Sequence, residues 1–443
     1  MKETTEGSPA GVPATAKQVG EIHVRWAWVE PSVWTDRMLT ALEQGVKGGV
    51  WFSLIDKVCA PANLYASYAK VAANGGAAGV DHVTVEDFTK RLARHLERLG
   101  VQLQDGQYRP QEVRRVNIPK PGTQETRPLG IPTVRDRVVQ GALRHVLEPI
   151  FERQFAEHSY GFRPGRGCKD ALRRVDRLLK AGYRYVVDVD LKSYFDTIPH
   201  AQLLDEVRKH IADSRVLALI EAFLKAEILD GLRQWTPESG APQGAVLSPL
   251  LSNLYLNALD HLMARSGYEM TRYADDLVIQ CRTREEAEEA LSMVQAWTTQ
   301  AGLTLHPTKT KIVDAQSEGF EFLGYRFVKH RRFPRRKSLA KFKDAIRAKT
   351  RRTDGRSLTM IVADLNRTLR GWFEYFQHSY RTAFPKLDGW IRMRLRSILR
   401  KRRGRRGRGQ GADHQRWPNA YFAAHGLFNL TTAHVLACQS SRR

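Results

Sequence analysis

The sequence predicts an α+β chain that closes with a basic helical segment, and three observations carry that prediction. Two strand-like runs, residues 185–191 and 271–280, place carboxylates where a strand meets a turn. Amphipathic helical spacing recurs before, between and after them. The final third is mostly helical in pattern and holds the charge: residues 329–408 contain 27 Lys+Arg against 5 Asp+Glu, a net of +22 out of +24 for the chain.

A chain of 443 residues is long enough for two or three domains with a sizeable core. With 71 Lys+Arg against 47 Asp+Glu, it favours a polyanionic partner, most simply nucleic acid. Cys59, Cys168, Cys281 and Cys438 are far apart and form no Cys-x-x-Cys pair, which argues against a zinc ribbon. So few cysteines suit a reducing compartment. The first residues carry acids and no following apolar stretch, so no signal peptide is read. No run of about 18 apolar residues occurs, so no membrane partner is expected.

Taken in order, residues 1–22 are rich in Gly, Pro, Ala and Thr without periodicity and read as a disordered lead. Helical spacing follows over 31–68, with Leu39, Leu42, Leu54, Ile55 and Val58 on one face. The glycine-rich stretch 74–81 lacks the Gly-Lys-Ser/Thr ending of a phosphate loop. Helical spacing resumes over 85–99. Residues 113–122 and 126–132 read as a hairpin with cations near a Pro-Gly tip. Residues 135–155 predict a long helix with Val138, Val139, Leu143, Val146 and Leu147 buried. His158 to Gly167 is a basic loop with interleaved aromatics, suited to a nucleic acid strand. Helix is predicted over 200–225. The Pro242-Gln243-Gly244 turn, where a glycine permits close backbone approach, opens an apolar helix running through Leu259. A charged amphipathic helix is predicted over 285–300 and a strand over 320–327. The Gly/Arg run 401–408 reads as a flexible basic linker, and aromatics return after it.

The chemistry sits in the carboxylates. Neighbouring strand residues point to opposite faces, so Asp275 and Asp276 can serve one site only because they lie at a turn. Asp188 and Asp190 share a strand face, and alternation alone does not choose between them. Two such edges brought together suit Mg²⁺, a hard cation that prefers oxygen ligands and shares them with substrate phosphates. Two Mg²⁺ ions would clamp the attacking and leaving oxygens of a phosphoryl displacement.

Several segments, in order, resemble one family. They are Ile118-Pro119-Lys120-Pro121, Arg127-Pro128-Leu129-Gly130-Ile131-Pro132, His158-Ser159-Tyr160-Gly161-Phe162-Arg163-Pro164, the Asp190 strand and Pro242-Gln243-Gly244. Tyr273-Ala274-Asp275-Asp276, residues 307–311, Phe322-Leu323-Gly324 and Arg370-Gly371-Trp372-Phe373 follow. The chain resembles the bacterial group II intron-encoded reverse transcriptase/maturases from about Asn74 to Tyr380. With no paired cysteines near its C-terminus, it resembles the endonuclease-lacking subgroup.

The resemblance implies a right-hand polymerase, with fingers and a palm on an antiparallel sheet and a basic α-helical thumb that doubles as the maturase domain. The boundaries it suggests are a partly disordered N-terminal extension (1–53), fingers and palm (54–328), thumb (329–400), and an Arg-rich linker with a short C-terminal segment (401–443). It implies Asp190, Asp275 and Asp276 as catalytic ligands of two Mg²⁺ ions. Lys120, Arg127, Phe195, Gln243, Gly244 and Lys309 would bind the dNTP, with Phe195 beneath the sugar as the gate against a 2′-OH. Arg163, Arg166, Arg370 and Trp372 would touch nucleic acid. The implied partners are intron RNA, an RNA template with a DNA primer, dNTPs and a DNA target site. The implied setting is the bacterial cytoplasm, at the nucleoid when acting on DNA, and the implied work is splicing assistance and target-primed retromobility. Two rival readings are a non-enzymatic RNA-binding splicing cofactor and a reverse transcriptase recruited to defence or repair.

Overall fold

The computed structural model describes Ile22 and residues 24–119 and 126–440. The strands are β1 (Val113–Pro119), β2 (Thr126–Ile131), β3 (Tyr185–Asp190), β4 (Ile228–Asp230), β5 (Arg233–Trp235), β6 (Glu269–Tyr273), β7 (Asp276–Cys281), β8 (Lys311–Asp314), β9 (Phe320–Phe322), β10 (Tyr325–Val328) and β11 (Arg331–Pro334).

The central sheet has the order β6-β7-β3-β8 and is antiparallel throughout. Alternation along β3 explains its two covered faces. Val187 and Val189 pack with Leu277 and Ile279 against Leu259, Met263, Ala287 and Val294, which lie on the helices Ser248–Arg265 and Arg284–Gln300. Val186 packs to the other side, with Val175 and Leu179 of the helix Cys168–Lys180 and with Phe320 and Tyr325. Asp188 and Asp190 are in phase with Val186, so both acids belong to that second face, toward the open end of β3.

A second sheet has the order β2-β1-β4-β5. β1 and β2 form the expected antiparallel hairpin, in register from Arg114↔Ile131 to Pro119↔Thr126. The sequence reading missed the short hairpin of β4 and β5, whose strands are three residues each about the Asp230-Gly231 turn; β4 joins β1 in parallel.

The largest core lies beneath these sheets. The helix Val134–Glu152 is its axis, buried over most of its surface with Asp136, Gln140 and His145 among the buried residues. It packs on the helix Pro61–Asn74 through small and polar contacts. Ser67 Oγ donates to the Val138 carbonyl at 2.7 Å, and Asn63 Nδ2 donates to the Ala142 carbonyl at 3.0 Å. The predicted helix over 200–225 is two helices, His200–Arg208 and Ser214–Leu224. The cause is Asp213, whose carboxylate accepts from the Arg215 and Val216 amides as an N-cap and also from the Leu54 and Ile55 amides. The segment up to Ser53, expected as an extension, joins this core through buried Trp26, Val33, Trp34, Leu39 and Leu42. Trp34 Nε1 donates to the His145 carbonyl at 2.8 Å.

The basic third is a helical bundle of Arg336–Lys349, Leu358–Phe376 and Ala383–Arg402. The small sheet β11-β10-β9 ties it to the central sheet. Tyr325 Oη donates to the Tyr375 carbonyl at 2.5 Å and Tyr375 Oη to the Leu323 carbonyl at 2.8 Å. The run 401–408, expected as a flexible linker, corrects to part of this bundle, and the aromatic tail after it packs on the same core. Trp417, Phe422 and Leu430 are buried in its core. Arg400 pairs with Asp413 at 2.7 Å, and the Asp388 carboxylate caps the helix Leu430–Ser440 through the Leu430 and Thr431 amides. Among the described residues no helix is long and apolar enough to cross a membrane.

Candidate active site

The site is built on the tight turn between β6 and β7. Tyr273 pairs with Asp276, leaving Ala274 and Asp275 as the two turn residues. Ala274 sits at φ +57°, a left-handed conformation that is strained for any residue with a Cβ. Its surroundings hold it there. Arg272, fully buried, donates from Nη1 to the Ala274 carbonyl and to Asn253 Oδ1, both at 2.9 Å, and from Nε to the Asp260 carboxylate at 2.8 Å. Gly161 presses against the turn from the other side, where a Cβ would lie 2.3 Å from the Ala274 nitrogen.

β3 delivers the other carboxylates. Asp190 is the cross-strand partner of Asp276, with Asp275 one residue beyond at the tip. The loop before β8 anchors Asp190: the His306 amide donates to its carbonyl at 2.8 Å. A cleft of about 760 Å³ opens here, lined by Asp188, Asp190, Asp275 and Asp276 and by Arg127, Lys309, Lys311 and Arg335. Lys309 Nζ lies 3.5 Å from both Asp190 oxygens. Burial, then the charges of Asp188 and Asp275, push the Asp276 carboxyl up to about 7. Burial likewise raises Asp188 to about 6 against the pull of Lys311. These acids crowd one another in a half-buried cleft, and loss of water outweighs the pull of the cations beside them. Asp188, which sequence alternation left level with Asp190, shares the cleft with it.

The donor chemistry fits a hard divalent cation. Carboxylate oxygens dominate, with no thiol or imidazole lining the cleft. Among the described residues no three His, Cys, Asp or Glu groups make a ready-closed cage. The oxygen donors lining the cleft suit Mg²⁺, which keeps waters and takes substrate phosphate oxygens as ligands.

A second cavity of about 600 Å³ brings Phe195 and Gln243 together with Pro128, Gly130, Arg115 and Trp235. Phe195 is set by its own carbonyl, which accepts from the Ala241 amide at 2.7 Å, and by edge contact with Tyr194 at 5.5 Å. Gly244 has φ +105°, and a Cβ there would meet the Gly130 carbonyl oxygen at 2.5 Å. The Gly130 amide donates to the Gln243 carbonyl at 2.7 Å. The glycine thus lets the Gln243 turn lie directly on β2. Arg127, exposed near the start of β2, lines the acid cleft, while Lys120 lies outside the described residues.

Two of the expected nucleic-acid contacts correct to structural roles. Arg163 is buried, and its guanidinium donates to the Glu152 carboxylate and to the Ala156 and Ser159 carbonyls, so it holds its own loop together. Trp372 stacks on Phe342 at 4.4 Å and leans on Phe376 at 4.8 Å inside the helical bundle. Arg166 is half-buried, donating to the Glu157 carbonyl and lying over the Tyr160 ring. Arg370 is exposed, with its guanidinium 5.1 Å from the Phe428 ring. The brace of Arg272, Asp260 and Asn253 was missed. A basic residue beside the acids was visible, but its fully buried partners are 12 and 19 residues away in sequence.

An antiparallel sheet with acids at one strand end and one hairpin turn, backed by helices and joined to a basic helical bundle, defines a palm-type nucleotidyltransferase. Residues 118–327 match the family described as reverse transcriptase (RNA-dependent DNA polymerase), and residues 339–417 match the group II intron maturase-specific domain. Protein YkfC of Escherichia coli is 36% identical over 293 residues, covering 57% of this chain and 76% of that protein. The group II intron-encoded protein LtrA of Lactococcus lactis is 37% identical over 216 residues, covering 48% of this chain and 35% of that protein. A solved partial Cas6-RT-Cas1–Cas2 complex is 22% identical, covering 56% of this chain and 42% of that one, with a TM-score of 0.36, too loose to add to the assignment. The chain belongs to the group II intron-encoded reverse transcriptase/maturase family.

Proposed function

We propose that this chain is an active RNA-directed DNA polymerase using two Mg²⁺ ions, with a thumb that binds intron RNA as a maturase. The observation that carries the reading is the juxtaposition of Asp190 with the Asp275-Asp276 turn across β3 and β7. A polymerase reduced to an RNA-binding scaffold has no use for a strained, braced turn that crowds carboxylates in an open cleft.

Asp190, Asp275 and Asp276 would hold the ions, with Asp188 adding negative field behind them. When bound, Mg²⁺ supplies charge neutralisation at the phosphates and acidifies the primer 3′-OH. The protein's own work is positioning. Arg127 and Lys309 stand at the cleft to take the triphosphate charge, and Lys120 belongs to the same group of dNTP-binding cations. Phe195 and the Gln243-Gly244 turn border the second cavity, where the sugar and base of the incoming nucleotide would sit, with the ring excluding a 2′-OH. Arg166 and Arg370 are the remaining contacts for template and RNA. Charge placement of this kind accounts for most of phosphoryl-transfer catalysis.

Target-primed synthesis at a DNA site, and residence at the nucleoid while it proceeds, follow from this reading. The test is primer extension on an RNA template with Mg²⁺ and dNTPs, run beside RNA binding. Asp190→Ala and Asp275→Ala should lose extension by about a hundredfold to a thousandfold, the range by which single electrostatic groups act, and retain RNA binding. A folded wild type that binds RNA and never extends a primer would leave the splicing-cofactor reading standing.

A further inference from the structure

A separate pocket lies in the helical bundle, away from the catalytic cleft. It has a volume of about 170 Å³ and is lined by Arg347, Arg352, Trp390, Arg394 and Arg408, with Thr350 and Ser397 at its base. The arginines are placed, not merely abundant. Arg394 Nε donates to Thr350 Oγ1 at 2.6 Å and an Nη donates to the Thr350 carbonyl at 2.9 Å. Arg347, Arg394 and Lys343 hold their cations 5.7 to 5.8 Å from the Trp390 ring centre. Arg408 comes from the Gly/Arg run, which is tied down beside it. The Gly409 amide donates to Ser397 Oγ at 3.0 Å, and the backbone there is so close that a Cβ would stand 2.4 Å from Arg396 Cβ.

Counter-charge is lacking. Residues 329–408 contain 5 acids. Asp344 pairs with Arg347, Asp354 with Arg356, and Asp364 with Lys349, Arg356 and Arg367. Glu374 pairs with Lys169, and Asp388 caps a helix. Among the described residues, Arg352, Arg394 and Arg408 have no carboxylate within ion-pair reach, and no acid lines the pocket. Burial, then the charges of Arg347 and Arg352, lower the Arg394 pKa, as expected of cations forced together.

We propose that this pocket binds a backbone phosphate of folded RNA, separate from the primer–template. Planar guanidinium forks match phosphate oxygens two at a time, which a scattered basic face does not achieve. All of the lining residues fall within the stretch that matches the maturase-specific domain. The proposal rests on the reading of the chain as an intron-RNA binder and adds the anchoring point.

The test is arginine footprinting of the full chain with phenylglyoxal, read residue by residue by mass spectrometry. The probes are a transcribed RNA stem-loop with a bulge, an RNA/DNA primer–template hybrid, and inorganic pyrophosphate. The stem-loop should slow modification of Arg352 and Arg408 at least fivefold and leave exposed Arg336 and Arg381 reactive; the hybrid should protect none of them. In parallel, Arg352→Gln/Arg408→Gln should weaken stem-loop binding at least tenfold and flatten its log–log salt slope by about two, with extension on the hybrid unchanged. Equal reactivity with and without stem-loop, or undiminished affinity, overturns the proposal. Protection by pyrophosphate at the same concentration assigns the pocket to free anions and also overturns it. Primer extension on the same samples separates the two readings: extension without protection sinks the pocket alone, and protection without extension sinks the polymerase alone.

Discussion

Arg272 and Asp260 form a fully buried ion pair directly behind the turn that carries Asp275 and Asp276, with Nε–Oδ1 at 2.8 Å. The same guanidinium reaches the Ala274 carbonyl, so the pair shapes the strained turn as well as neutralising itself. Removing one partner leaves an uncompensated buried charge. Arg272→Met should therefore cost about 3–5 kcal/mol in urea unfolding. A loss under about 1 kcal/mol would mean the turn holds itself.

Gly244→Ala places a Cβ 2.5 Å from the Gly130 carbonyl oxygen in a backbone of φ +105°. The turn must move, and Gln243 with it. We expect a local cost of roughly 1–3 kcal/mol and a KM for dNTP raised about tenfold, with RNA affinity unchanged. An unaltered KM would separate this turn from nucleotide binding.

Phe195→Val shortens the wall of the second cavity. Competition between dNTP and rNTP in primer extension should shift toward ribonucleotides by at least about tenfold, the scale of small shape changes in a binding pocket. Unchanged discrimination would place the gate elsewhere.

His145 sets an acid limit on stability. Its Nδ1 faces Asn63 Oδ1 at 2.8 Å and its Nε2 faces Lys70 Nζ at 2.8 Å, so the ring is held neutral, with Nδ1 donating and Nε2 accepting. Burial, then the Lys70 charge, push its pKa down to about 4. Between the unfolded value of about 6.5 and that folded value, the unfolded chain binds a proton that the fold does not. Stability is present above this window and falls with pH inside it, by about 1.4 kcal/mol per unit. His145→Gln should show a shallower loss between pH 7 and 5 in paired urea titrations; identical slopes would remove His145 as the cause.

What the sequence made legible was local. The β1–β2 hairpin, the helix Val134–Glu152 and the turn acids each announce themselves within a few residues, through a Pro-Gly signal, apolar spacing or paired carboxylates. What it hid depends on distant partners. Arg163 in a basic-aromatic loop looks the same whether it meets RNA or Glu152, and only the fold decides. Trp372 could have faced solvent, but Phe342, thirty residues earlier in number, covers it. The Gly/Arg run 401–408 reads as a linker by composition, yet Arg400 donates to the Arg406 carbonyl within it and the Gly409 amide just past it donates to Ser397 Oγ.

The central position of β3 has a consequence for how the chain is made. Both of its neighbours, β7 and β8, are synthesised roughly 90 and 120 residues later, so the strand leaves the ribosome with two open edges. A Val-Val-x-Val run in that state is the kind of segment that recruits other chains into aggregates. Asp188 and Asp190 interrupt it with negative charge, as gatekeeping residues do. The carboxylates proposed to hold metal in the finished enzyme would also protect the unfinished one, and neutral substitutions there should lower soluble yield even where they raise the stability of the folded product.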